Sequence, residues 1–220
     1  MLKYFFSAVL LLAGGSCDAH QNTAMHGIVP SADQIHPLLL GSAMPDAAMQ
    51  TIDGKPTRLK DQVNSKPTVL VFYRGGWCPY CNTQLSELRK IRKPLEDMGY
   101  QMIAISPDLP VELNKTLDKD QLDYTLLSDS KAEALTAFGI GFRVDDATIK
   151  EYKSYGIDLE KASGENHRAL PVPSVFIVDG MGVLQFSYSH PDYKVRVPGK
   201  VVLAAAQAIA DREQYVKPKR

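Results

Sequence analysis

The stretch Thr68-Val69-Leu70-Val71-Phe72-Tyr73-Arg74-Gly75-Gly76-Trp77-Cys78-Pro79-Tyr80-Cys81 decides the fold. Its first six residues are mostly β-branched, apolar or aromatic and follow Pro67, a pattern typical of a buried central strand. Beyond Cys81, apolar residues recur every three or four positions as far as Met98, which predicts an amphipathic helix that starts at the cysteines and ends at Gly99. Two cysteines are therefore expected between a strand and the first turn of a helix.

The segments on either side predict an α/β fold with a mixed central sheet, helices on both of its faces and an N-terminal β-hairpin. The hairpin is expected over residues 49–59, with Asp53-Gly54 as its turn. Strand and helix patterns then alternate, and two adjacent strands precede a C-terminal helix. The other predicted strands are 102–105, 125–127, 175–178 and 183–188, the other predicted helices are 111–117, 131–138 and 200–211, and residues 156–173 are expected to form a long loop.

The composition is that of a soluble globular chain with a single core. The 220 residues are 45% hydrophobic and 23% charged, and the 25 basic residues balance the 25 acidic ones. A chain without an excess of positive charge offers nucleic acid no attractive field, so we expect no nucleic-acid partner. The short basic tail, 214–220, is explained by a solvated C-terminus.

The N-terminus has the pattern of an export signal. Lys3 is followed by an apolar run, 5–13, that has about half of the ~20 residues a spanning helix needs. The segment ending at Cys17 resembles a bacterial lipoprotein signal, in which the cysteine is acylated, although Gly14 stands where such signals carry leucine. We therefore predict a signal peptide over 1–17, a tether over 18–37 and one folded domain over 38–213. The expected location is the periplasm, with membrane attachment through acylated Cys17 or simple cleavage near Ala19 as alternatives.

Cys78 and Cys81 are the only cysteines left once Cys17 is set aside. A disulfide between residues this close closes too small a loop to stabilise a fold, so a structural bridge is a poor explanation. Structural zinc needs four ligands, and no second pair of cysteines exists, so we expect no metal centre and no other cofactor. The pair is predicted to be a catalytic dithiol.

The position of Cys78 before Pro79 predicts its chemical role. Pro79 suits the first position of a helix, so Cys78 is the expected N-cap, where unpaired amides and the helix dipole stabilise a thiolate. Cys81, one turn later, lies on the same side and is the expected resolving thiol. Trp77, Pro79 and Tyr80 are predicted to bind substrate beside the thiols.

The same stretch, with Pro45-Asp46 and Asp53-Gly54-Lys55 before it and Val175-Phe176-Ile177-Val178-Asp179 after it, resembles the peroxiredoxin-like alkyl hydroperoxide reductase and thiol-specific antioxidant family. The resemblance implies a thioredoxin-like fold of the peroxiredoxin type over roughly 38–211. It also implies thiol chemistry with a thiol electron donor and with either a disulfide or a peroxide as substrate.

The resemblance to this family does not decide which reaction the two thiols carry out. Peroxiredoxins carry Pro-x-x-x-Thr/Ser-x-x-Cys, which places Cys81 at the peroxide-reactive position, Cys78 at the threonine and Arg74 at the proline. The family's arginine before the last strands corresponds to Pro173. Val172-Pro173 instead resembles the cis-proline loop with which thioredoxins bind substrate, and two trans prolines that start an edge strand are the alternative. We therefore predict thiol-disulfide exchange as the main activity and thiol peroxidase activity as the alternative.

Two further expectations concern residues outside the motif. Two cysteines and a distant histidine, His167 or His190, are the donor set of a copper chaperone, which is a third, less favoured function. The long loop before Pro173 also carries His167 and Arg168. Either side chain is expected to lower the pKa of the thiols if the loop folds over them, whereas a solvated surface loop is the alternative.

Overall fold

The computed structural model describes residues 27–216. A seven-stranded sheet in the order β2-β1-β5-β4-β3-β8-β9 forms its centre, and β6 and β7 form a separate two-stranded sheet. The strands are β1 Ala48–Thr51, β2 Pro56–Arg58, β3 Thr68–Phe72, β4 Gln101–Ser106, β5 Thr125–Ser128, β6 Gly141–Arg143, β7 Ala169–Pro171, β8 Ser174–Val178 and β9 Leu184–Ser189. The helices are α1 Leu59–Val63, α2 Pro79–Asp97, α3 Pro110–Asp120, α4 Glu133–Ala137, α5 Asp146–Ser154, α6 Leu159–Ser163 and α7 Gly199–Val216, with a 3-10 turn at Ala32–Gln34.

Strand β3 is the buried central strand that the sequence predicts. All five of its residues are buried, and alternate side chains enter different cores because successive residues of a strand point to opposite faces. Val69 and Val71 pack with residues of α2 and α7 on one face. Leu70 and Phe72 pack on the other face, where α1 and α4 lie. The predicted mixed sheet with helices on both faces is confirmed.

The pairing of β3 decides which loops meet. It is parallel to β4, with Phe72 opposite Ile105, and antiparallel to β8, with Phe72 opposite Ser174. The carboxyl ends of β3 and β4 and the beginning of β8 therefore share one edge of the sheet. The segment that follows β3, Asp108 after β4 and Pro173 before β8 consequently converge at this edge.

Helix α2 starts at the cysteines and ends close to Gly99, as the sequence predicts. Gly99 has a φ of +85°, a left-handed conformation that glycine adopts without a steric penalty. Helix α7 packs along α2. Their contact buries Leu85 and Leu88 of α2 together with Val202 and Ala206 of α7.

Three expectations about the chain's organisation need correction. The predicted loop 156–173 contains α6 and β7. The described part of the predicted tether, 27–37, is joined to the domain, since Val29 hydrogen-bonds to Gly141 and Arg143 and His36 donates its amide proton to Gly139. The folded domain thus begins before Leu38.

The predicted cis-proline is wrong. No cis peptide bond occurs between residues 27 and 216, so the bond between Val172 and Pro173 is trans. The amide of Val172 donates to the carbonyl oxygen of Ile140, which fits a strand end leading from β7 into β8.

The signal peptide, Cys17 and the end of the basic tail lie outside the described residues. Within the part that is described, no helix is both long and apolar enough to cross a bilayer.

Candidate active site

The two cysteines lie at the junction of β3 and α2. Cys78 is the N-cap residue of α2, with extended backbone angles, and Pro79 is the first helical residue. Cys81 lies in the first helical turn, where its amide donates to the carbonyl of Cys78. Both are free thiols, and they are only 2% and 0% exposed. The pair thus occupies the predicted helix start, in a largely closed site.

Two glycines allow the backbone to turn between β3 and α2. A Cβ at Gly75, whose φ is +153°, would come within 2.8 Å of the Asp108 carboxylate, and a Cβ at Gly76 would collide with Thr116. The Gly76 amide donates to Asp108 Oδ2 at 2.8 Å, and the side chain of Asn82 donates to the Gly76 carbonyl at 2.9 Å. This loop is therefore anchored both to the segment that follows β4 and to α2.

Arg74 places a guanidinium group beside Cys78. The Arg74 side chain is 3% exposed; its Nη1 lies 3.9 Å from Cys78 Sγ, and its Nη2 donates to the Tyr152 hydroxyl. Three rings surround the guanidinium, those of Trp77 at 5.1 Å, Tyr152 at 5.5 Å and Tyr193 at 4.1 Å from its central carbon. Within the described residues no carboxylate forms an ion pair with Arg74, so the Cys78 thiolate is its natural counter-ion.

Arg196 places a second guanidinium group beside Cys81. It comes from the segment between β9 and α7, and its Nη2 lies 3.4 Å from Cys81 Sγ. Its other groups are fixed, because Nη1 donates to Gln84 Oε1 at 2.6 Å and Nε donates to the carbonyl of Tyr193 at 2.6 Å. Each sulfur therefore has one arginine as its neighbour.

The two sulfurs ionise differently. A hydrogen bond from the Cys81 thiol, and then the charge of Arg74, lowers the pKa of Cys78 to about 6 despite its burial. Burial, followed by the hydrogen bond to Cys78, raises the pKa of Cys81 well above its usual range, although Arg196 opposes the rise. At neutral pH Cys78 is consequently the thiolate and Cys81 the thiol that donates to it.

The other predicted site residues all lie near this junction. Trp77 packs against Tyr152, with ring centres 5.7 Å apart and ring planes tilted by 53°. Tyr80 is 44% exposed and meets Tyr193 edge to face, so it offers a partner the most accessible ring beside the thiols. Val172 and Pro173 are buried at the sheet edge where β3 ends. Their role in binding substrate stays a prediction.

His167 and Arg168 do not act on the thiols, and the other candidate, His190, accepts at Nδ1 from the amide of Asp192 at 3.1 Å. His167 Nε2 lies 2.8 Å from the carbonyl of Ser130 and its Nδ1 accepts from Ala169, while Arg168 pairs with Glu160 and Asp146. The expectation that His167 or Arg168 approaches the cysteines is therefore wrong. No cluster of three potential metal ligands occurs in the described part of the chain, and the geometry gives the copper hypothesis no support.

Sequence reasoning missed Arg196, Tyr152 and Tyr193. Arg196 is 115 positions from Cys81, and no motif surrounds it. One signal was present: Pro173 occupies the place of the family's arginine, which invites a search for another arginine that reaches the site.

Comparisons with known proteins identify the family of the chain. The profile of the AhpC/TSA family matches residues 40–187, a range that includes both cysteines and ends before Tyr193 and Arg196. A putative peroxiredoxin of Haemophilus influenzae is 31% identical over 106 residues, which are 48% of this chain and 68% of that protein. A putative peroxiredoxin of Mycobacterium tuberculosis is 30% identical over 161 residues, covering 73% and 88% of the two chains.

Solved structures show the same fold. Peroxidoxin BcpB from Mycobacterium tuberculosis superposes with a TM-score of 0.60 at 20% identity, covering 77% of this chain and 97% of its own. Peroxiredoxin Q of Xanthomonas campestris gives a TM-score of 0.57 at 19% identity, covering 74% and 91%. Family profile, relatives and thiol pair together establish that this thiol-dependent oxidoreductase belongs to the AhpC/TSA family.

Proposed function

We propose that the chain is a thiol peroxidase that reduces a peroxide with the two electrons of the Cys78–Cys81 pair. One observation carries the proposal: each sulfur has a guanidinium neighbour, Arg74 at Cys78 and Arg196 at Cys81. Positive groups fixed in a buried site stabilise the attacking thiolate and the negative charge that develops on the departing oxygen. The peroxiredoxin relatives support the same conclusion.

The proposed reaction has two steps and a recovery. The Cys78 thiolate attacks one peroxide oxygen, the O–O bond breaks, and the departing oxygen takes up a proton to leave as alcohol or water. Cys78 is then a sulfenic acid. Cys81 loses its proton and attacks the Cys78 sulfur, which forms a disulfide and releases water. A thiol donor supplies two electrons and two protons to restore the dithiol.

The order of attack follows from the ionisation of the two thiols rather than from the alignment with the peroxiredoxin motif. The motif places Cys81 at the position of the peroxide-reactive cysteine. The helix start and Arg74, however, stabilise the thiolate at Cys78. A thiolate is the nucleophilic form, so Cys78 attacks first in this proposal.

Thiol-disulfide exchange is the second candidate, favoured by the two-residue spacing of the cysteines at a helix start. Its other support, a cis-proline at 173, is absent, because the bond is trans. Peroxide reduction therefore ranks first.

The fluorescence of Trp77, the chain's single tryptophan, allows a direct test because this ring lies beside the thiols. Reduced wild type, Cys78→Ser and Cys81→Ser are mixed with hydrogen peroxide or an organic hydroperoxide in a stopped-flow instrument. We expect Cys78→Ser to lose the fast signal. Cys81→Ser should keep a single turnover and accumulate a sulfenic acid that a trapping reagent labels at Cys78.

Two outcomes would contradict the proposal. If Cys81→Ser alone abolishes the first turnover, Cys81 is the attacking thiol and the order is reversed. If wild type reduces a small disulfide orders of magnitude faster than either peroxide, the chain is a dithiol exchanger.

We also propose that the chain is exported to the periplasm, on the support of its N-terminal sequence pattern. Mass spectrometry of the mature N-terminus tests this proposal. A diacylglycerol-modified Cys17, together with release from membranes in Cys17→Ser, is the expected result if the cysteine is acylated. An unmodified N-terminus near Ala19 supports simple cleavage, and an intact N-terminus contradicts export.

A further inference from the structure

A buried carboxyl group supports the active-site loop from behind. Asp108 is 2% exposed and accepts hydrogen bonds from the Gly76 amide at 2.8 Å and from the Trp77 side chain. Ser128 fixes its backbone by donating to its carbonyl at 2.7 Å. The proposed reaction gives Asp108 no role, yet it contacts the loop that leads from Arg74 to Cys78.

We propose that Asp108 is a positioning residue of the dithiol site: its hydrogen bonds hold residues 75–77 in place, and its charge acts on the thiolate that this loop leads to. The inference rests on the thiol pair of the proposed function, but it does not depend on which substrate the pair reduces. Its test therefore measures thiol ionisation and not peroxide turnover.

The hydrogen bonds explain how Asp108 positions the thiols. The amide of Gly76 donates to Asp108, and its carbonyl accepts from the side chain of Asn82, a residue of α2. Arg74 and Asp108 also line one small cavity of about 10 Å³, room for a single water molecule. Arg74 Nε, which is buried, has no hydrogen-bond partner among the described residues. The carboxyl group thus holds the loop directly, and the guanidinium lies on the same small cavity.

Two of the groups near Asp108 are already held by other partners. His167 has both ring nitrogens occupied by backbone groups, and Arg168 is neutralised by Glu160 and Asp146. The ionisable groups that face Asp108 are Tyr73, Arg74 and Cys78 from β3 and the loop, Glu112 from α3, and His167 and Arg168 from the segment before β7.

Like charges at Asp108 and Cys78 oppose each other. Burial, followed by the charges of Glu112 and Cys78, raises the pKa of Asp108 to about 7 against the hydrogen bonds from Gly76 and Trp77. The pKa of Cys78 is lowered to about 6, so the two groups lose their protons over the same pH range. Two interacting groups titrate in two macroscopic steps, so the thiolate changes its reactivity again when Asp108 ionises.

The test is the pH dependence of Cys78 alkylation in the reduced protein, followed from about pH 4 to about pH 9. Wild type should show two inflections. Asp108→Asn keeps the shape of the side chain but cannot ionise, and it should show one. Asp129→Asn is the matched control: Asp129 is also buried, with a pKa of about 7, but it accepts from the amides of α4. Its titration curve should match wild type.

The inference is overturned if Asp108→Asn keeps both inflections or if Asp129→Asn loses one as well. Should Asp108→Asn fail to fold, the reciprocal experiment decides. Removing the thiolate in Cys78→Ser should lower the pKa of Asp108, measured by carboxyl-carbon NMR, and an unchanged value would refute the coupling. A protein that titrates in two steps but does not reduce peroxide would refute the proposed function and leave this inference standing.

Discussion

Arg74 is a buried cation that contributes to the ionisation of the site, after the hydrogen bond from Cys81. A buried cation usually needs a carboxylate partner, but this one is surrounded by three aromatic rings and a sulfur. Cation–π contacts contribute about 0.5–1 kcal/mol each when exposed and about 2 kcal/mol when desolvated. The rings therefore offset part of the cost of burial, and the Cys78 thiolate offsets the rest.

Replacing Arg74 by methionine should raise the pKa of Cys78 by about 1–3 units, the usual effect of an opposite charge at this distance. Methionine keeps an apolar body among the rings and removes only the charge. The pH dependence of alkylation measures the shift. Arg168→Met is the control, because Arg168 pairs with Glu160 and Asp146; an unchanged pKa in Arg74→Met would show that Arg74 does not stabilise the thiolate.

At the scale of elements, helix α5 brings Tyr152 to Arg74. The helix is short, and its start is fixed by Asp145, whose carboxylate accepts from the amide of Thr148 at 2.9 Å. Helices of this length are marginal alone, so the cap and the packing of Ile149 and Tyr152 hold it in place. An N-cap far from the cysteines in sequence thus supports the site.

Asp145→Ala should destabilise the protein by about 1 kcal/mol, the usual cost of losing an N-cap, and should also raise the pKa of Cys78 by loosening Tyr152 from Arg74. Urea unfolding and thiol alkylation measure the two effects. Asp158→Ala, which removes the cap of α6, is the matched control. It should lose similar stability without shifting the thiol, and equal shifts in both variants would argue against a special role for α5.

At the scale of the whole molecule, the titrating groups predict a minimum of stability near pH 7. Asp108 and Asp129 have pKa values of about 7 in the folded state against 3.8 ordinarily, so the folded state holds protons that the unfolded state releases. Stability therefore falls as the pH rises from about 4 to about 7, by up to about 1.4 kcal/mol per pH unit for each group.

Cys78 acts in the opposite direction at higher pH. Its pKa is about 6 in the folded state against 9.0 ordinarily, so the unfolded state binds more protons and stability rises from about pH 6 to about pH 9. Urea unfolding of the reduced protein at a series of pH values tests both limbs. Asp129→Asn should reduce the fall in stability between about pH 4 and about pH 7, and Cys78→Ser should reduce the rise in stability between about pH 6 and about pH 9. A stability maximum near pH 7 would contradict the prediction.

The sequence predicts those features that a short segment carries within itself. The apolar run of β3, the periodicity of α2 and the Cys-Pro step at its start are local patterns, and each forms where it is expected. The family resemblance is carried by the same local motif. The roles of Trp77 and Tyr80 as neighbours of the thiols also follow from adjacency in the chain.

Only the tertiary structure decides which side chains surround the two sulfurs. Tyr152 meets Arg74 across 78 positions and Arg196 meets Cys81 across 115. No periodicity encodes such contacts, since they depend on where the chain path brings distant segments together. By itself the sequence determined a dithiol at the start of a helix, with Cys78 as the expected thiolate; the fold decided which charged and aromatic side chains surround the pair.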